Sequence, residues 1–161
     1  MTTLTFAHTL ISLIGILSGL VVLIGMFGSK LSAGWTATFL ATTIATSVTG
    51  FLFFPFDHLL PSHMVAILSL VILAIALYAL YSRKLAGAFR SIYVITAVMA
   101  LYLNVFVLVA QLFAKVPALK AMAPTQAEPP FAIAQGIVLV LFLLLGWKAL
   151  KKFHPAIAGR F

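Results

Sequence analysis

The chain has 161 residues, 64% of them hydrophobic and 7% charged, with 10 Lys or Arg against 2 Asp or Glu. Soluble domains carry roughly 25% charged residues and could not bury so much apolar surface at this length, so the composition excludes a water-soluble globule and requires a bilayer. The net charge of +8 sits in ones and threes at the ends of apolar stretches, which excludes a nucleic-acid patch, and the absence of cysteine removes disulfides, thiolate nucleophiles and cysteine metal sites.

Five apolar segments are expected to span a membrane, at about 8–27, 35–54, 62–81, 89–114 and 131–150, within a single domain covering 1–161. About twenty residues at ~1.5 Å each suffice to cross a hydrocarbon layer of ~30 Å. The expected fold class is therefore all-α, an integral membrane bundle of five transmembrane helices. The N-terminal residues lack the basic region of a secretory signal, so the first segment is read as retained.

Segment one aligns His8, Ser12, Gly15, Gly19, Val22 and Met26 within about 40° of one helical line. Gly15 and Gly19 form a small-xxx-small pair that admits a neighbouring backbone. Segment two carries two hydroxyl stripes, Thr38, Thr42, Thr46 and Thr49 beside Thr43, Ser47 and Gly50. Such hydroxyls either bond back to carbonyls one turn earlier, line a packing seam or line a hydrated path.

The connection from Phe51 to His63 holds Asp57, His58 and His63. Pro61 suits the first position of a helix, placing His63 in the first turn, where the positive helix end disfavours imidazolium and leaves the ring able to ligate. His8 is expected at a similar depth. With Asp57, His58 and Glu128 nearby, these imidazoles suit zinc or, with an open position, a redox metal. A bis-histidine haem on His8 and His63 is the less favoured version, because a porphyrin needs several turns of apolar wall. The spacing matches no specific metal motif, and interfacial histidines also occur with no ligand.

Segment four places Tyr93, Ala97, Ala100, Asn104, Val107 and Gln111 on one face. Asn104 lies about 16 Å along the helix from Lys115, near the midplane. Carboxamides in hydrocarbon need partners, so this face is expected to turn inward, with Gln135 of segment five as the partner of Gln111. The following stretch, 115–130, contains four prolines and remains fairly apolar, so it reads as a stiff cap over one end of the bundle. Segment five ends in Trp147, Lys148, Lys151, Lys152, Phe153 and His154, an aromatic and basic anchor.

With the N-terminus outside, the inner side holds Lys30, Arg83, Lys84, Arg90, Lys148, Lys151, Lys152 and Arg160, and the outer side only Lys115 and Lys120. That bias puts the C-terminus in the cytoplasm. Two stretches, Tyr102-Leu-Asn104-Val-Phe-Val-Leu-Val-Ala-Gln111 and Pro124-Thr-Gln-Ala-Glu128-Pro-Pro-Phe131, resemble segments of small polytopic bacterial membrane proteins to which no activity is attached. The resemblance extends through segments two to five and implies a bacterial inner membrane.

The functional expectation is a non-catalytic polar pocket beneath the outer cap, binding a metal ion, a quinone-like molecule or another small ligand. Its ligand-facing residues would be Asn104, Gln111, Glu128, Gln135 and Tyr93, and its metal-facing residues His8, His63, Asp57 and His58. No nucleophile with an oriented base is visible, which argues against catalysis. Two other readings stand beside it: an accessory subunit meeting other membrane proteins, and a small channel or transporter built on the hydroxyl stripes.

Overall fold

The computed structural model describes residues 2–52 and 61–156. Thr2 opens the first helix, α1 (Thr3–Phe27): its hydroxyl accepts the Thr5 N–H at 3.2 Å and satisfies one of the donors a helix start leaves over. At the far end Ser29 takes a left-handed φ of 54° and the Lys30 N–H returns to the Gly25 carbonyl at 2.8 Å, reversing the chain into α2 (Ala33–Leu52). α3 (Pro61–Leu77) begins on its proline and ends in a widened π-helical turn, Tyr78–Ser82, where the Arg83 N–H reaches back five residues to the Tyr78 carbonyl. α4 (Phe89–Lys115) stops because Pro117 forces Val116 into an extended conformation, φ −83° and ψ 118°. Pro117 then starts the short α5 (Pro117–Met122), and Pro129 starts α6 (Pro129–Lys152), with Glu128 extended just before it.

All regular structure among the described residues is helical. Among the described residues, four stretches are long and apolar enough to cross a membrane: Thr3–Phe27, Pro61–Ser82, Phe89–Lys115 and Pro129–Lys152. The 20-residue α2 falls outside that set because threonine dilutes its hydropathy. The expected segments coincide with α1, α2, α3 with its π turn, α4 and α6 to within two residues at described ends, except that α1 begins five residues earlier. Residues 53 and 54, the expected close of segment two, lie outside the described residues. The proline-rich cap holds a helix, α5, that was not foreseen.

α1 packs most extensively on α2, α3 lies between α2 and α4, and α4 also meets α1 and α6. The Gly15 and Gly19 pair makes the approach of α1 close. A Cβ at Gly19 would lie 2.7 Å from Leu101 Cδ1 and 2.9 Å from the Phe39 ring, and one at Gly15 would lie 3.2 Å from Thr42 Oγ1. α6 stands apart: 11% of its apolar window is buried, against 39–44% for the other three spans, so most of its surface faces outward.

The two ends of the bundle differ in chemistry. At the basic end, the Arg90 guanidinium donates to the carbonyls of Leu150 (3.0 Å) and Phe153 (2.8 Å), capping α6 where its dipole is negative. Phe153 is thereby held in the core against Tyr93, ring centroids 6.0 Å apart, and the His154 N–H donates to Ser29 Oγ at 2.6 Å. The largest fully buried side chains, Tyr93, Phe39, Phe153, Met26, Leu40 and Leu80 among them, concentrate towards this end. The proline end carries α5 and the Thr125–Glu128 turn.

Candidate functional site

Two polar features lie inside the bundle. The first is a hydrogen-bonded column between α1, α2, α3 and α4. Asn104 Nδ2 donates to Thr43 Oγ1 at 3.2 Å, and Ser47 Oγ donates to the Thr43 carbonyl (3.0 Å) and to Ser69 Oγ (3.1 Å). All four side chains are buried, and the bare backbone of Gly15 gives Asn104 room. Further towards the proline end, His8 Nδ1 bonds Thr49 Oγ1 at 2.7 Å, and the buried His63 ring stands edge-on to Phe51 at 5.1 Å. α2 thus brings the two histidines to one end of the bundle through neighbouring residues, Thr49 and Phe51. Most α2 hydroxyls also return to carbonyls one turn back, Thr38 to Gly34, Thr42 to Thr38, Thr46 to Thr42 and Thr49 to Ala45. Asn104, Thr43, Ser47 and Ser69 are thus joined in hydrogen bonds, the arrangement that makes polar groups tolerable in hydrocarbon.

The second feature is a cavity of about 190 Å³ at the basic end, between α1, the α1–α2 turn, α2 and α4. Val22, Met26 and Phe153 supply apolar wall, and Lys30, Ser32 and Trp35 line its mouth. Two wall residues, Thr36 and Tyr93, are 2% and 0% exposed, and neither hydroxyl has a hydrogen-bond partner. The two hydroxyls face one another at the margin of hydrogen-bonding range without meeting in a well-formed bond. A poorly paired buried hydroxyl costs about 1–3 kcal/mol, so these two groups are the polar part of an otherwise apolar wall and are able to bond a third group.

The described residues expected around an outer pocket do not all lie at one place. Gln111 is exposed and does not pair with Gln135, whose amide instead donates to the Phe106 carbonyl at 3.0 Å while its Oε1 lies buried without a partner. Gln135 thus spends its amide on a helix backbone carbonyl and not on the side chain of Gln111. Glu128 closes its own turn: its carboxylate accepts the Thr125 hydroxyl (2.8 Å) and the N–H groups of Thr125 and Ala127. Those bonds, the Thr125 hydroxyl first, hold its carboxyl below the ordinary glutamate range. Gln126, unremarked in the sequence, ties the cap to α4 through the Ala110 carbonyl at 2.8 Å. Tyr93 lies one turn into α4 from Phe89, at the basic end, about 16 Å along the helix from Asn104 and remote from Glu128.

Asp57 and His58 lie outside the described residues. Among the described residues no three His, Asp or Glu side chains gather as a metal set. The sequence reading missed Thr36 and Ser69. Thr36 continues the Thr43, Ser47 and Gly50 stripe one step further down α2, which is the signal that would have found it.

No family model, no curated protein and no solved structure compared with the chain matches it.

Proposed function

We propose that this chain is a five-span protein of the bacterial cytoplasmic membrane that binds a small membrane-borne molecule, without catalysis, in the cavity at its basic end. The observation that carries the reading is the pair of buried, unpartnered hydroxyls on Thr36 and Tyr93 in the wall of that cavity. At about 190 Å³ the space is smaller than the ~300–1,000 Å³ of drug-sized pockets but about six times the ~30 Å³ share of one water molecule. It suits a head group or a single ring. The fifth span is α2, a reading supported by its hydroxyls donating to carbonyls of their own helix one turn back and by its packing between α1 and α3. The eight-to-two division of basic residues supports a cytoplasmic basic end and an external N-terminus.

Native mass spectrometry of the protein extracted from its own membrane in mild detergent tests the reading. The wild-type chain should retain a small molecule that Val22→Phe, which fills the cavity, retains less of. Equal retention by both, or none by either, contradicts it.

The exposure of α6 supports a second reading, an accessory subunit docking through that helix. Its outward face carries Ile133, Ile137, Val140 and Leu144 around Gly136, beside which a Cβ would meet nothing within 4 Å. Lipid covers such a face equally well. A discrete larger complex on gel filtration from the native membrane, lost on Gly136→Trp, would favour the subunit.

A further inference from the structure

The chemistry of the cavity narrows the ligand. Its polar groups are graded from charged at the mouth to neutral in the wall. Lys30 and Ser32 stand at the mouth, where the chain enters α2, and the first intrahelical bond of that helix is the Thr36 N–H to the Ser32 carbonyl at 3.0 Å. The amides of Ala33, Gly34 and Trp35 precede that bond, so the positive end of a 20-residue helix points to the same place. Both acids in the chain, Asp57 and Glu128, belong to other connections, and Glu128 is committed to its own turn, so Lys30 has no carboxylate beside it among the described residues. Thr36 lies one turn, about 6 Å, deeper than Ser32 along α2. Trp35, 50% exposed, and Val21, 39% exposed, open the same cavity sideways onto the apolar surface.

We infer that the cavity takes the head of an anionic glycerophospholipid, an assignment that rests on the ligand-binding reading above. The phosphate sits on Lys30, Ser32 and the start of α2. The ester carbonyls, one layer deeper in any such lipid, accept from Thr36 and Tyr93, and the acyl chains leave past Val21 and Trp35. Each polar group of the cavity then has a partner, including the two hydroxyls that lack one. A neutral ring would satisfy the hydroxyls but leave the helix start and Lys30 unused, and free phosphate would do the reverse.

The test is a titration of the full-length protein in mild detergent with dioleoylphosphatidylglycerol or dioleoylphosphatidylcholine, followed by native mass spectrometry. One phosphatidylglycerol should bind about tenfold more tightly than phosphatidylcholine. Lys30→Gln should bring the two lipids to near parity, while Lys152→Gln, a cation of the same end outside the cavity, leaves the preference intact. Thr36→Val and Tyr93→Phe should weaken both lipids about 3- to 10-fold, the range of one hydrogen bond each, without lowering the Tm of the lipid-free protein. Equal binding of the two lipids by the wild-type chain, still weakened by Thr36→Val, overturns the anionic class and leaves the cavity reading standing. Binding indifferent to Thr36→Val and Tyr93→Phe overturns both. Displacement of phosphatidylglycerol by millimolar inorganic phosphate alone identifies free phosphate as the ligand and overturns the lipid.

Discussion

Asn104 Nδ2 on α4 and Thr43 Oγ1 on α2 meet at 3.2 Å in the interior of the bundle, beside the bare backbone of Gly15 on α1. The contact joins helices that touch only slightly elsewhere. Interhelical bonds in membranes are worth about 0.6 kcal/mol, but stranding a buried carboxamide costs more, about 1–3 kcal/mol. Thr43→Val should therefore destabilise the protein by about 1–2 kcal/mol, and adding Asn104→Leu should restore part of that loss. A double-mutant cycle by unfolding in detergent measures the coupling, and purely additive losses would mean that the two side chains do not interact.

Close packing of α1 makes a second prediction. Leu101 and Phe39, the neighbours of a Cβ at Gly19, are themselves fully enclosed and cannot yield cheaply. Gly19→Ala should cost about 1–3 kcal/mol by overpacking. Gly136→Ala, on the open face of α6, should be neutral or slightly stabilising, since alanine is the better helix former. Thermal melts of the two variants side by side would contradict this account if Gly19→Ala proved the milder.

Glu128 makes the Thr125–Glu128 turn sensitive to acid. Hydrogen bonds from the Thr125 hydroxyl, then from backbone amides, hold its carboxyl below the ordinary value of 4.5. A carboxyl depressed on folding adds stability that is fully present above the unfolded-state pKa and lost as pH falls through the lower folded-state value. The turn should hold at neutral pH and loosen only below about pH 4.5, seen as faster exchange of the Thr125 and Ala127 amides. Glu128→Gln should abolish that acid dependence. An exchange profile unchanged by the substitution would show the carboxylate to be a bystander.

Topology is open to a clean test because the chain has no cysteine of its own. A single cysteine at Gln126 should react with a membrane-impermeant maleimide in intact cells, whereas one at Gly28 or Lys152 should react only after permeabilisation. Reaction of positions 28 and 126 from the same side would leave α1 to α4 without the arrangement proposed for them.

The helices were legible in the sequence because bilayer thickness, proline positions and basic residues constrain them directly. Pro61 begins α3 as its place in the sequence indicated, whereas Pro117 begins the unforeseen α5. The Gly15 and Gly19 approach was legible for the same local reason. The site was not. Asn104, Gln111 and Gln135 are all carboxamides in apolar surroundings, yet one bonds a threonine, one is exposed and one bonds a backbone carbonyl. Which of these occurs depends on helix rotation and on the register between α4 and α6, and periodicity on a single helix does not encode either. Tyr93 was selected as part of a polar face, but its meaning comes from Thr36 on α2 and Phe153 beyond α6, residues far away in the chain.

The central claim, a membrane-borne molecule held against Thr36 and Tyr93, is tested most directly by a crystal structure of the full chain grown from a lipidic phase. The account predicts ordered non-protein density in the cavity, with oxygen atoms within hydrogen-bond distance of Thr36 Oγ1 and the Tyr93 hydroxyl. An empty cavity, with those two hydroxyls bonded to each other, would contradict it.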